Sequence, residues 1–244
     1  MSDGSRAGID AEKMERSLRF APLLAEDGDA VLQLYRKVSA TVPLGFLTER
    51  TEHDFGEILS NREMSASIGV WQGNRLVAYS LCSLETGAVY ESIPLIRLLR
   101  DRGEPLWSGK GTVVDPEFQG QLLLPRLLKM RGELIAKRGI PHTVGLVATS
   151  NLLSLGGIMR SGAWVVGIER DAYCENFVCY GGRLQQRCTI IGQADVAVDD
   201  LSNIASKLGS GWVGVGLKRK KTAATAKLDI AQLDPAWRRV EDAL

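Results

Sequence analysis

The chain has 244 residues, is 45% hydrophobic and 24% charged, and carries a formal net charge of +1. That apolar content is ample for a core, and the charge balance argues against wholesale nucleic-acid binding. No apolar run is long enough to span a bilayer and the N-terminus is polar and charged rather than a signal peptide, so a cytoplasmic protein without membrane contact is expected.

In chain order, residues 1–16 are polar and unpatterned and read as a mobile tail. Leu18 to Leu23 reads as a first strand, and Glu26 to Val38 as a helix with Ala30, Val31, Leu34 and Tyr35 on one face. A short helix is expected between Glu52 and Ser60. Ser67 to Trp71 and Leu76 to Leu81 flank Gln72-Gly73-Asn74-Arg75, which is hairpin chemistry because Gly and Asn accept positive φ. Residues 85–105 form an insertion with a helical stretch from Ile93 to Arg100. It either borders a substrate groove or is a surface excursion.

Trp107 to Val114 reads as a buried strand that runs through Asp115-Pro116-Glu117-Phe118-Gln119-Gly120-Gln121 into a helix, Leu122 to Arg138. A helix started there aims its unpaired N–H groups and the positive end of its dipole at the turn, which suits an anionic group. A strand from Thr143 to Ala148, a helix opened by Asn151, and strands at Ala163 to Ile168 and Phe177 to Tyr180 follow. Beyond them, Thr189 to Ile191, a helix starting near Asp199 and ending before Gly209, and Trp212 to Leu217 suggest a strand-helix-strand annex. Lys218-Arg219-Lys220-Lys221 then leads into an Ala/Thr-rich segment.

Val113 to Gln121 and Asn151 to Gly162 together resemble motifs A and B of the GNAT superfamily of N-acetyltransferases, over roughly residues 18–184. Gln119 fits the first position of the family's Gln/Arg-x-x-Gly-x-Gly/Ala signature, while Leu122 and Leu124 stand at its two small positions. Asn151, Ser154 and Gly162 fall on motif B positions, with Ile158 at the family's Tyr. The resemblance implies an α/β (α+β) fold: a mixed, mostly antiparallel central sheet flanked by helices. The acyltransferase domain would span 17–184, with a C-terminal annex at 185–244.

The resemblance further implies transfer of an acetyl or other acyl group from acyl-CoA to a primary amine of a small molecule, peptide or base. Strand amides near Val113 and Val114 would pair with the pantetheine arm, which Asn151 would contact. The backbone of Gln119, Gly120, Gln121, Leu122 and Leu124 would hold the pyrophosphate. If both leucines point into the core with Leu123, Leu127 and Leu128, the cradle survives; if either faces the turn, CoA binding weakens. Arg126 and Lys129 are further phosphate partners or plain surface charges.

Acyl transfer to an amine needs a base, and Glu85, at the end of the third strand, is the leading candidate, with Tyr90 and Glu91 behind it. His142 begins its strand, away from the splayed region, and reads as structural. Four cysteines, Cys82, Cys174, Cys179 and Cys188, have no zinc-ligand spacing, so they read as packed thiols and no metal site is expected. The alternative is a GNAT-like protein that has lost ordinary CoA use and acts as a binding or nucleic-acid-modifying protein, anchored through Lys218 to Lys221. A homodimer is compatible with either reading. A Rossmann fold is disfavoured, since no Gly-x-Gly-x-x-Gly follows a strand.

Overall fold

Alternating and continuous apolar runs become ten strands of one sheet in the computed structural model of the chain, which describes residues 18–85, 87, 90–218 and 226–235. The expected N-terminal tail and Arg219 to Lys221 lie outside the described residues. Strand β1 (Leu18–Pro22) is followed by helices α1 (Gly28–Ser39) and α2 (Glu52–Ser60), then by the hairpin β2 (Ile68–Gln72) and β3 (Arg75–Glu85). Helix α3 (Pro94–Asp101) precedes β4 (Leu106–Val114), α4 (Leu123–Lys137), β5 (His142–Ala148) and α5 (Leu152–Arg160). Then come β6 (Trp164–Arg170), β7 (Glu175–Gly182), a single turn α6 (Leu184–Arg187), β8 (Ile190–Ala197), α7 (Leu201–Gly209), β9 (Trp212–Lys218) and β10 (Lys227–Leu233).

Local chemistry sets the helix starts. Thr51 Oγ1 accepts from the Asp54 amide while Asp54 Oδ2 accepts from the Thr51 amide, a reciprocal cap on α2. Pro94 occupies the first turn of α3, where its missing N–H costs nothing. Asn151 and Asp200 cap α5 and α7 through the amides of Ser154 and Asn203.

The strand order is β1-β2-β3-β4-β5-β7-β6-β9-β10-β8, and every pairing is antiparallel except β4 with β5. The fold is therefore the mixed, mostly antiparallel sheet flanked by helices that the motifs imply. One face is covered by α1 and α2, packed on Tyr79, Leu81 and Val113, and by α3, packed on Val144, Val166 and Val178. The other carries α4 over Ala78, Cys82 and Trp107, and α5 with α7 over Val165, Phe177 and Leu228.

Helix α3 of the insertion is part of this core. Ile93 lies so close to Gly167 on β6 that a β-carbon there would collide with it, and Leu95, Ile96 and Leu99 are buried. The annex continues the main sheet through Val165 on β6 and Gly214 on β9. Its third strand, β10, was hidden in sequence behind the Ala/Thr-rich stretch and sits between β9 and β8. No described helix is long and apolar enough to cross a membrane.

Candidate active site

Strands β4 and β5 are parallel neighbours but pair only at Trp107 with Thr143 and Ser108 with Val144. Beyond Ser108 they diverge, so a fork opens near the middle of the sheet. Two of the pairs between β3 and β4, Leu81 with Gly111 and Cys82 with Gly109, leave Lys110 as an extra residue on β4. Such a bulge bends its strand, and Gly111, at φ +124, supplies backbone that other residues rarely adopt.

The antiparallel ladder determines which β4 amides face the fork. The Asp115 amide donates to the Val77 carbonyl at 2.9 Å, so hydrogen-bonded positions alternate back through Val113 opposite Tyr79. Val113 is therefore spent on β3, whereas the N–H groups of Val114 and Thr112 point into the fork. Of the two strand amides expected from sequence, Val114 is the one on the open side, and Thr112 joins it.

After Val114 the chain turns through a short 3-10 segment, Pro116–Phe118, into α4. Asp115 organises this exit. Its carboxylate is 1% exposed, accepts from Lys37 Nζ at 2.9 Å and Arg75 Nη2 at 2.6 Å, and caps the Glu117 amide at 3.1 Å. Burial pushes its pKa up, but the hydrogen bonds from Lys37 and Arg75 outweigh it and leave the carboxyl below its ordinary value. This anchor was missed in the sequence. Asp-Pro at the end of a strand was the available signal, since Asp before a first-turn Pro is a natural cap.

Gln119 and Gly120 are exposed, Gly120 at φ +82, and Leu122 adopts the left-handed conformation at φ 56 as it enters α4. Leu122 thus has the backbone of a glycine, with its side chain 71% exposed to solvent. Leu123, Leu127 and Leu128 enter the core, and Leu122 and Leu124 do not. Leu124 is half-buried against Gly157 of α5, with Cδ2 2.8 Å from where a β-carbon would stand. Arg126 lies over the Phe20 ring at 4.5 Å, and Lys129 is exposed. Asn151, at the start of α5, uses Oδ1 to cap the Ser154 amide at 3.1 Å, and no described protein group takes its Nδ2.

On the face covered by α1, α2 and α3, polar groups gather beside the fork. Glu85 Oε2 accepts from Lys110 Nζ at 2.7 Å, with the two side chains 14% and 23% exposed. Arg50 Nε donates to the Lys110 carbonyl at 3.0 Å, which pins the bulge. Tyr90 stands beside Ser108, at the last β4–β5 pair, and burial raises the pKa of its hydroxyl. Glu91 instead pairs with Arg100 at the surface. His142 is buried against Tyr180, Nδ1 to the hydroxyl at 2.8 Å, and burial lowers its pKa to about 4. That position is structural, away from the open part of the fork.

Solved structures share this architecture. An acetyltransferase of the GNAT family from Streptococcus pneumoniae superposes with a TM-score of 0.52 at 12% identity, covering 68% of this chain and 98% of its own. An N-acetyltransferase from Staphylococcus aureus gives 0.52 at 12%, covering 68% and 97%. The NatC complex bound to Gag peptide and CoA gives 0.53 at 9%, covering 68% and 98%.

The chain has the GNAT fold. No protein-family model matches the GNAT-fold chain, and no curated protein matches it in sequence. The likeness is therefore one of backbone, with the Leu122 and Leu124 positions among the places where the sequence leaves the family pattern.

Proposed function

We propose that the chain transfers an acyl group from an acyl-CoA to a primary amine. The observation that carries this reading is the continuity of three parts: the open fork, the inward amides of Thr112 and Val114, and the turn from Gln119 to Leu122 at the head of α4. An elongated donor with an anionic end is matched by this layout. Its phosphates would meet the α4 N-terminus, its arm would pair with β4, and its thioester would lie near Ser108 to Gly111.

Attack by the amine on the thioester carbonyl forms a tetrahedral oxyanion, and strand amides stabilise that charge. The C–S bond then breaks with its electron pair moving to sulfur, and the ammonium proton leaves to a base. In this reading Glu85, which pairs with Lys110 beside the fork, would take it directly or through water. The amine would approach from the side of Arg50, Tyr90 and the end of β3.

A second reading, a GNAT-fold binding protein without CoA chemistry, is favoured by one observation: Leu124 occupies space between α4 and α5. Its nucleic-acid version gains little from Lys218, which is paired with Asp195 at 2.8 Å and Asp229 at 3.4 Å. The test is thiol release from acetyl-CoA in the presence of a panel of primary amines and N-terminal peptides. Acyl transfer reduced by Glu85→Gln supports the first reading, and no turnover with any amine together with no binding of acetyl-CoA supports the second.

A further inference from the structure

On the α4 face of the fork, β4 and β5 present glycines, Gly109 and Gly145, so neither strand puts a side chain of its own over the backbone there. Arg131 of α4 hangs over this bare floor. Its Nη1 lies 3.5 Å from where a Gly109 β-carbon would be, a point itself 3.5 Å from the Val144 carbonyl oxygen and 3.8 Å from Gly145 Cα. The same Nη1 donates to Ser80 Oγ at 2.9 Å, and Ser80 shares a 3.0 Å hydrogen bond with Thr112.

Arg131 is out of pattern for its helix. It is one turn after Leu127 and one before Ile135, both buried, so it belongs to the inward stripe of α4. A guanidinium there costs desolvation, and among the described residues no carboxylate lies within ion-pair distance to offset it. The groups around it are the Cys82 thiol on β3, Lys110 and Glu85 toward the opposite face, and Arg138 farther along α4, over Trp107. The field at the fork is thus positive on the α4 side. On α5, Ile158 offers no proton donor to a leaving group.

We propose that Arg131 binds the sulfur of the donor and stabilises the thiolate released when the C–S bond breaks. This rests on the acyl-CoA reading above. The guanidinium acts by charge and hydrogen bonding, so the thiolate leaves as an anion and takes its proton from water after release. The half-buried cation without a carboxylate then has a partner, present only once charge has developed on sulfur.

The test needs no acceptor. Binding of CoA and of desulfo-CoA to the full chain is measured by calorimetry from neutral to alkaline pH, for wild type, Arg131→Met and Arg131→Lys. Wild type should come to prefer CoA by about tenfold as pH rises, because a nearby cation lowers a thiol pKa by about one unit or more. Arg131→Met should bind both ligands equally at every pH, and Arg131→Lys should keep part of the preference. Equal binding of both ligands by wild type, or an unchanged preference in Arg131→Met, overturns the sulfur role. If neither ligand binds wild type, the acyl-CoA reading itself fails.

Discussion

Leu124 and Gly157 form a knob and a notch between α4 and α5: the leucine Cδ2 is 2.8 Å from the position a β-carbon on Gly157 would take. The contact joins the head of the first helix to the middle of the second, beside the fork. Gly157→Ala should therefore push Leu124 aside and cost about 1–3 kcal/mol, the usual penalty for overpacking. The double variant Gly157→Ala with Leu124→Ala should recover most of that loss in a denaturant titration. Additive losses would mean that the two side chains do not share this space.

Leu122 carries a backbone strain that its exposed side chain does nothing to offset. Left-handed conformation costs a residue with a β-carbon about 1–2 kcal/mol. Leu122→Gly should raise stability by about 1 kcal/mol and Tm by about 2–4 °C for a chain of this size. A lower Tm would show that the exposed leucine makes a stabilising contact.

Much of the fold was readable because the strands and helices carry strong periodicity and explicit caps. The helices expected at Glu52 to Ser60 and after Asn151 are kept by the structure, and the stretch expected from Ile93 begins at Pro94. The strand β10 was not readable, since it follows a basic and Ala/Thr-rich stretch and its burial comes from Leu228 and Ile230 lying between β8 and β9. At the site, local sequence located the turn and the strand before it. It could not tell that Leu122 would turn outward while Leu124 met Gly157, nor that Arg131 would reach Ser80, because those outcomes depend on helix rotation against the sheet.

Asp115 should matter to stability in a pH-dependent way. Asp115→Ala removes the acceptor shared by Lys37, Arg75 and the Glu117 amide and should cost about 1–3 kcal/mol at pH 7. The carboxyl is held below its ordinary 3.8, so its contribution is complete above that value and is lost as pH falls through the lower folded value. Unfolding curves of wild type and variant should therefore converge in strong acid. A gap that persists undiminished there would assign the loss to packing.

His142 acts in the opposite part of the acid range. With its pKa lowered from 6.5 to about 4 by burial, the unfolded chain binds a proton that the folded chain refuses between those values. Stability from this group is complete above about pH 6.5 and falls as pH drops toward 4, by about 3 kcal/mol at most. A His142→Gln variant should show a flatter stability profile over that window. The same slope in wild type and variant would place the titration elsewhere.

The most direct measurement is a calorimetric titration of the full chain with acetyl-CoA and CoA, beside Gln119→Glu and Gly120→Trp. The fork and the α4 turn predict binding on the order of micromolar for both ligands. Gln119→Glu should weaken it by adding negative charge at the phosphate end, and Gly120→Trp by placing a bulky side chain on backbone at φ +82. No binding at millimolar ligand by the folded wild-type chain would contradict the account.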